Sequence, residues 1–379
     1  MKVKGVTFQG KEKMVVKEVE DPAIQERTDM IVRITASGIC GSDLHLYKGG
    51  IEPEKDYVVG HEPMGIVEEV GPDVKTLKKG DRVVIPFNIG CGSCFFCENQ
   101  MESQCDESNP HGEVGGLFGF TEMNGGYPGG QAQYLRVPYA DFTSFKVPES
   151  SQLEDESVLF LSDVIPTAFW SVEHSGVKKG DTVIVLGSGP IGLMAQKFAK
   201  LKGAERVIAV DQVDHRLDHA KRTNQVDIYN FKNYEDIGSL LHEDTKGGAD
   251  VVIDCVGMDG TVQPNETFGS EFDNQFGTIS PIKTASQAVR KFGTVQLTGV
   301  YATEANRFPL GDFFSRNVSL KMGQAPVIHL MPKLYDMIEN NEFDPTDIIT
   351  HVLPLEDAAK GYDIFDKKAD GNIKVILKP

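Results

Sequence analysis

Four cysteines fall within fifteen residues, as Cys91-x2-Cys94-x2-Cys97-x7-Cys105. Thiolates at that spacing close a tetrahedral shell around one zinc ion and leave no position open, which is the chemistry of a structural site. Free or disulfide-linked cysteines are the alternative, and clustering of this kind without a secretory leader favours metal. Two further cysteines, Cys40 and Cys255, stand apart. Cys40 lies in Gly38-Ile39-Cys40-Gly41-Ser42-Asp43-Leu44-His45, and His61 lies in Gly60-His61-Glu62. Each alone is an ordinary loop residue. Together, in a chain that also carries a nucleotide-binding signature, they suggest a catalytic zinc with one open coordination position.

That signature is Gly187-Ser188-Gly189-Pro190-Ile191-Gly192, a G-x-G-x-x-G run. It follows an apolar strand and opens an amphipathic helix, the context the motif requires. Gly187 permits the tight turn, Gly189 lets the backbone approach a pyrophosphate, and Gly192 lets the helix pack on the strand. Pro190 and Ile191 begin the helix, whose N-terminal N–H groups and dipole would face the phosphates. Asp211 ends the next apolar run and suits the ribose hydroxyls. Its charge would repel a 2′-phosphate, so NAD is expected over NADP. The alternative is a helix-capping or solvated acid. Arg216 either lies along the ribose or belongs to the surface of the following helix.

The elements that would position these residues change character along the chain. Residues 1–165 hold short β-like runs broken by glycine, such as Ile31–Ile34, Gly65–Gly71 and Asp81–Pro86, and predict a mostly-β domain. From residue 166 to 324 the pattern becomes strand–helix alternation. Thr182–Leu186, Val207–Val210, Val251–Ile253 and Val295–Leu297 read as strands buried on both faces. Between the first two, Ile191, Met194, Phe198 and Leu201 recur three or four apart on one helical face. The expected fold is α/β, a mostly-β domain beside a doubly wound parallel sheet. Residues 325–379, ending in Ile373–Leu377, are expected to return to the first domain.

Taken together, these stretches resemble the zinc-containing medium-chain dehydrogenase/reductases. The likeness rests on Gly38–His45, Gly60-His61-Glu62, Gly80-Asp81-Arg82-Val83, the four-cysteine lobe and Val185–Asp211. It spans essentially the whole chain and implies a GroES-like catalytic domain, a Rossmann domain and an active site in the cleft between them. By the same resemblance Cys40 and His61 are the first two catalytic zinc ligands. Where liver-type members place a second cysteine, this sequence offers Asp163, as do relatives of the formaldehyde-dehydrogenase type. Cysteinate and carboxylate carry equal charge, but oxygen is the harder donor and leaves zinc more Lewis acidic. Glu62 is either a transient fourth ligand or an acid behind the ligands. Ser42 matches the hydroxyl that binds the substrate oxygen, and His45 the outer proton relay. Lys374 matches a basic position near the pyrophosphate.

The resemblance therefore implies two zinc ions per chain, NAD, and hydride transfer with a small alcohol or aldehyde. Two other readings stay open: a polyol or amino-alcohol (threonine-like) dehydrogenase, and a non-catalytic zinc-stabilised binding protein. A net charge of −18 argues against nucleic acid as a partner. No apolar run approaches the roughly 18–20 residues that span a bilayer, and the first residues resemble no signal peptide, so a cytoplasmic location is expected. A homo-oligomer, dimer or tetramer, is expected by resemblance. The polar stretch 258–284, with Phe268, Phe272 and Phe276, is read either as a cover over the cofactor's adenine end or as a surface loop.

Overall fold

The computed structural model describes residues 2–51, 53–112, 114–260, 278–301 and 307–379. In chain order its strands are β1 (Lys2–Phe8), β2 (Met14–Glu20), β3 (Met30–Ile39), β4 (Glu62–Val70), β5 (Arg82–Val84), β6 (Tyr134–Val137), β7 (Phe145–Lys146), β8 (Thr182–Leu186), β9 (Arg206–Asp211), β10 (Asp227–Asn230), β11 (Ala249–Asp254), β12 (Val289–Leu297), β13 (Ser319–Met322), β14 (Ile349–Pro354) and β15 (Lys374–Lys378). Three helices bear on the sites: α1 (Gly41–Tyr47), α2 (Pro190–Leu201) and α3 (Ala358–Lys367). The chain divides into two compact units, Met1–Pro166 with Ala325–Pro379, and Thr167–Gln324.

In the first unit a seven-stranded sheet runs β14-β15-β3-β4-β5-β7, with β6 also paired to β3. β3 is the long central strand, and its buried residues Met30, Val32 and Ile34 join Val67, Val83, Ile85 and Phe118 in one core. Each such side chain contributes about 1.5–3 kcal/mol by leaving water. A second cluster packs α3 on the sheet through Tyr362, Phe365, Ile39 and Val375. Register decides what sits at the sheet's functional end. Gly38 of β3 lies opposite Glu62 of β4, and Ile39 lies opposite Val375 of β15. Cys40, His61 and Lys374 each adjoin one of these paired positions, so three distant stretches of sequence meet at one strand end.

In the second unit six parallel strands run β10-β9-β8-β11-β12-β13. The order reverses direction at β8, which is where a doubly wound sheet binds its ligand. β8 is buried from Val183 to Leu186, in agreement with its unbroken apolar sequence. α2 takes Pro190 at its first turn, where the missing N–H costs nothing. Met194 and Phe198 of its apolar face are buried, but Leu201 at the helix end is 51% exposed. The periodicity places Leu201 on the same stripe, yet the helix ends there and its side chain stays half exposed. Phe268, Phe272 and Phe276 of the polar stretch lie outside the described residues.

Candidate active site and nucleotide site

Cys40 follows β3 and caps α1; His61 precedes β4; Asp163 follows the short helical turn Leu159–Ser162. Their donor atoms meet. Cys40 Sγ lies 3.3 Å from Asp163 Oδ2, and His61 Nε2 lies 3.6 Å from the same oxygen. With Glu62 they form a buried group whose donor atoms lie within 4.8 Å of one another. Zinc bond lengths of 2.0–2.3 Å in a tetrahedron set S···O and N···O separations of about 3.4–3.6 Å. The donor set and spacing fit zinc. The electrostatics point the same way: burial, then the Asp163 carboxylate, pushes the Cys40 thiol up to about 11. Acidic groups gathered in a dry site call for a cation.

Asp43 holds both ligands. As the third residue after Cys40 it reaches back to accept the Cys40 N–H at 3.0 Å, the capping-box geometry of a helix start. Its other oxygen faces His61 Nδ1 at 3.2 Å. Burial pulls the His61 imidazole towards neutrality, but Asp43 and Cys40 outweigh it and hold it well above its ordinary range. A carboxylate on Nδ1 turns Nε2 towards the metal position. Sequence reasoning passed over Asp43; an acid three residues past the start of a helix was the available signal.

Ser42 and His45 both belong to α1. The Ser42 hydroxyl lies 3.8 Å from Cys40 Sγ, at the rim of the donor cluster. Residues three apart share a helix face, and His45 is 8% exposed.

Lys374, expected near the pyrophosphate by resemblance, has a partner that the sequence did not point to. Its wholly buried ammonium binds Glu62 (2.6 and 2.5 Å) and the Ile39 carbonyl (2.9 Å). Antiparallel pairing of β15 with β3 carries it to Cys40's strand end. Burial opposes its charge, but Glu62 outweighs that and raises it above the ordinary lysine range. Glu62 is thus tied to Lys374 on the side away from solvent.

Cys91, Cys94, Cys97 and Cys105 form a separate cluster that could hold a metal ion. Cys91 and Cys97 sulfurs are 3.9 Å apart, and those of Cys94 and Cys105 are 3.8 Å apart. Tetrahedral zinc at 2.3 Å from sulfur places thiolates about 3.8 Å apart, so this set also fits. Backbone N–H groups of Cys91, Ser93 and Cys94 point at ligand sulfurs.

In the second unit the glycine run forms the turn between β8 and α2. A Cβ on Gly192 would stand 2.0 Å from the Gly187 carbonyl oxygen, so helix and strand approach as closely as the motif demands. Beside Gly189, by contrast, only Arg216 Nη1 comes within 4 Å of a Cβ position among the described residues. That open face suits a pyrophosphate against the helix start. Asp211 ends β9 with one oxygen accepting the Ser188 N–H at 2.6 Å and the other accepting Gln212 and Val213 N–H at 2.6 and 2.9 Å. Arg216 is buried beside the glycine turn, not on the helix surface.

A closed four-thiolate lobe, an open donor set beside a hydroxyl, and a dinucleotide turn define a zinc-dependent oxidoreductase. Residues 26–149 match the alcohol dehydrogenase GroES-like domain and residues 190–265 the zinc-binding dehydrogenase family. The zinc-type alcohol dehydrogenase-like protein AdhB of Bacillus subtilis (strain 168) is 60% identical over 378 residues, 100% of both chains. A glutathione-independent formaldehyde dehydrogenase of Pseudomonas aeruginosa (strain PAO1) is 33% identical across 96% of this chain and 94% of its own. Among solved structures, alcohol dehydrogenase TADH from Thermus sp. ATN1 superposes with a TM-score of 0.84 at 33% identity, over 99% of each chain. The chain belongs to the zinc-type alcohol dehydrogenase family.

Proposed function

We propose that the chain oxidises a small alcohol, or reduces the matching aldehyde, with Cys40, His61 and Asp163 holding the catalytic zinc and Gly187–Gly192 holding NAD. The carrying observation is the convergence of a thiol, an imidazole and a carboxylate on one buried point, with a hydroxyl at its rim. When bound, zinc supplies a Lewis acid that acidifies the alcohol, and NAD supplies the hydride acceptor. The chain's own residues do the rest. Ser42 Oγ accepts the substrate hydroxyl proton, and His45 on the same helix face passes it to solvent. Asp43 keeps His61 Nε2 forward. Glu62, held by Lys374, stands behind the ligands as a reserve donor. Asp211 takes the ribose hydroxyls and disfavours a 2′-phosphate, and Arg216 lines the turn.

The formaldehyde dehydrogenase relatives support a short-chain substrate. Six free cysteines, four at metal spacing, support a reducing, cytoplasmic setting. No helix among the described residues is long and apolar enough to cross a membrane. Exposed Leu310, Phe314 and Met322 around β13 support self-association through the second unit, as dimer or tetramer. The test combines zinc analysis with NAD reduction at 340 nm over alcohols, aldehydes and polyols. Two zinc per chain, falling to one in Asp163→Ala with loss of turnover, is the expected result. Two zinc retained in Asp163→Ala would overturn the ligand assignment, and turnover confined to polyols would overturn the substrate class.

A further inference from the structure

Behind the zinc ligands lies a second layer of polar groups that the reaction does not touch. Gln131, Tyr362 and Asp43 are each fully buried. They come from three separate elements: the segment before β6, helix α3 and helix α1. The Tyr362 hydroxyl donates to Gln131 Oε1 at 2.8 Å. Gln131 Nε2 donates to Asp43 Oδ2 and to the Gly38 carbonyl, both at 3.1 Å. Asp43 in turn accepts the Cys40 N–H and faces His61 Nδ1. Neither Asp43 Oδ1 nor His61 Nδ1 has another hydrogen-bond partner among the described residues.

We infer that Gln131 and Tyr362 are positioning residues for the catalytic metal, aiming Asp43 at Cys40 and His61 from the far side. The inference rests on the reading of those two residues as zinc ligands.

The chemistry of the amide carries the argument. A glutamine side chain can sit either way round, with oxygen or nitrogen towards Asp43. Reversed, its oxygen would meet a carboxylate and a carbonyl, acceptor against acceptor in a dry site. Asp43 and the Gly38 carbonyl therefore fix the nitrogen end towards themselves, and the Tyr362 hydroxyl, able to donate, satisfies the oxygen end. Tyr362 is held in turn by the Tyr47 ring at 5.5 Å between centroids. The Gln131 backbone is pinned on both sides, giving its carbonyl to Val6 N–H at 2.8 Å and its N–H to Val59 at 3.1 Å. Its methylenes lie against Gly60, where φ is +95° and a Cβ would stand 2.2 Å from Gln131 Cγ. Gly60 directly precedes His61, so the same side chain braces the ligand's backbone and orients its carboxylate partner. Asp43 sits among acidic groups. One N–H from Gln131 holds Asp43 Oδ2 in place, while the other anchors the amide on the Gly38 carbonyl.

The test follows release of zinc from the purified holoprotein to a chromogenic chelator, with zinc per chain counted first. Tyr362→Phe removes one oxygen and keeps the ring. It should release one of the two zinc ions about tenfold faster, in the range seen when a group behind a metal ligand is lost. The other ion, on Cys91, Cys94, Cys97 and Cys105, should leave at the wild-type rate. Gln131→Met should act at least as strongly, and adding Tyr362→Phe to it should change nothing more. Tyr335→Phe, which removes a buried hydroxyl that donates to Glu339 elsewhere in the same unit, should leave both rates alone. Unchanged release in folded Tyr362→Phe and Gln131→Met, each with two zinc, would overturn the inference alone. Equal acceleration of both ions, or failure of both variants to fold, would assign the network to the fold and overturn it too. A wild-type chain with one zinc would sink the underlying ligand reading, and the inference with it.

Discussion

Replacing Lys374 with methionine separates the two roles that sequence and structure give this residue. In the structure its ammonium is wholly buried on Glu62 and the Ile39 carbonyl, with the Phe160 ring 6.0 Å away. Methionine fills much of the volume but leaves the Glu62 carboxylate buried beside Cys40 and Asp163 without its hydrogen-bonded ammonium partner. Removing one partner of such a pair costs about 3–5 kcal/mol, whereas removing both is often near neutral. A domain of 150–250 residues shifts by about 2–4 °C per kcal/mol, so the midpoint should fall by about 6–20 °C. Scanning calorimetry of the zinc-loaded protein measures this. Glu62→Gln added to Lys374→Met should recover most of the loss, a coupling that a double-mutant cycle isolates. A lysine serving the pyrophosphate would behave differently: NAD affinity would fall while the melting midpoint held. That outcome, or a double variant no more stable than the single one, would refute the buried-pair account.

Gly192→Ala pushes a methyl to 2.0 Å from the Gly187 carbonyl oxygen, and overpacking of this kind costs about 1–3 kcal/mol; thermal melting and NAD titration should both register it. Asp211→Ser removes the carboxylate at the ribose position and should raise the kcat/KM ratio of NADP to NAD at least tenfold, read at 340 nm with each nucleotide. Asp254 is fully buried, and burial raises its pKa against the hydrogen bonds from Tyr301, Val256 and Gly257. A carboxyl raised on folding favours the folded state when protonated, so stability declines as pH climbs from the unfolded value, about 3.9, to the raised folded one. Asp254→Asn should therefore gain more in melting temperature over wild type at pH 8 than near pH 4; equal differences at both pH values would count against it.

The parts of this site that were legible in the sequence are those whose chemistry is local. Cys91 to Cys105 lie close enough along the chain for spacing alone to imply a shell. Gly187–Gly192 sits between a strand and a helix that announce themselves by apolar pattern. Strand runs such as Val183–Leu186 are buried as their composition requires. Asp163 was reachable only through resemblance, because it joins Cys40 by a contact 123 residues away in sequence. The Glu62 partner of Lys374 was hidden for the same reason: β-register, not periodicity, brings the two together. Gln131 and Tyr362 carry no local signal at all. A lone glutamine before a strand and a tyrosine on an amphipathic helix read as ordinary residues until the fold sets them 2.8 Å apart.

The pairing of β15 with β3 has a consequence for biogenesis. Ile39 and Lys374 touch although 335 positions separate them, and the nucleotide-binding unit, Thr167–Gln324, is translated in between. On the ribosome that unit can finish folding while the strand bearing Cys40 still lacks its neighbour. Cys40, His61 and Asp163 all precede that unit, so Lys374 is a buried partner of this cluster that must be added after it. The four-cysteine lobe is encoded within fifteen positions and can capture its ion long before.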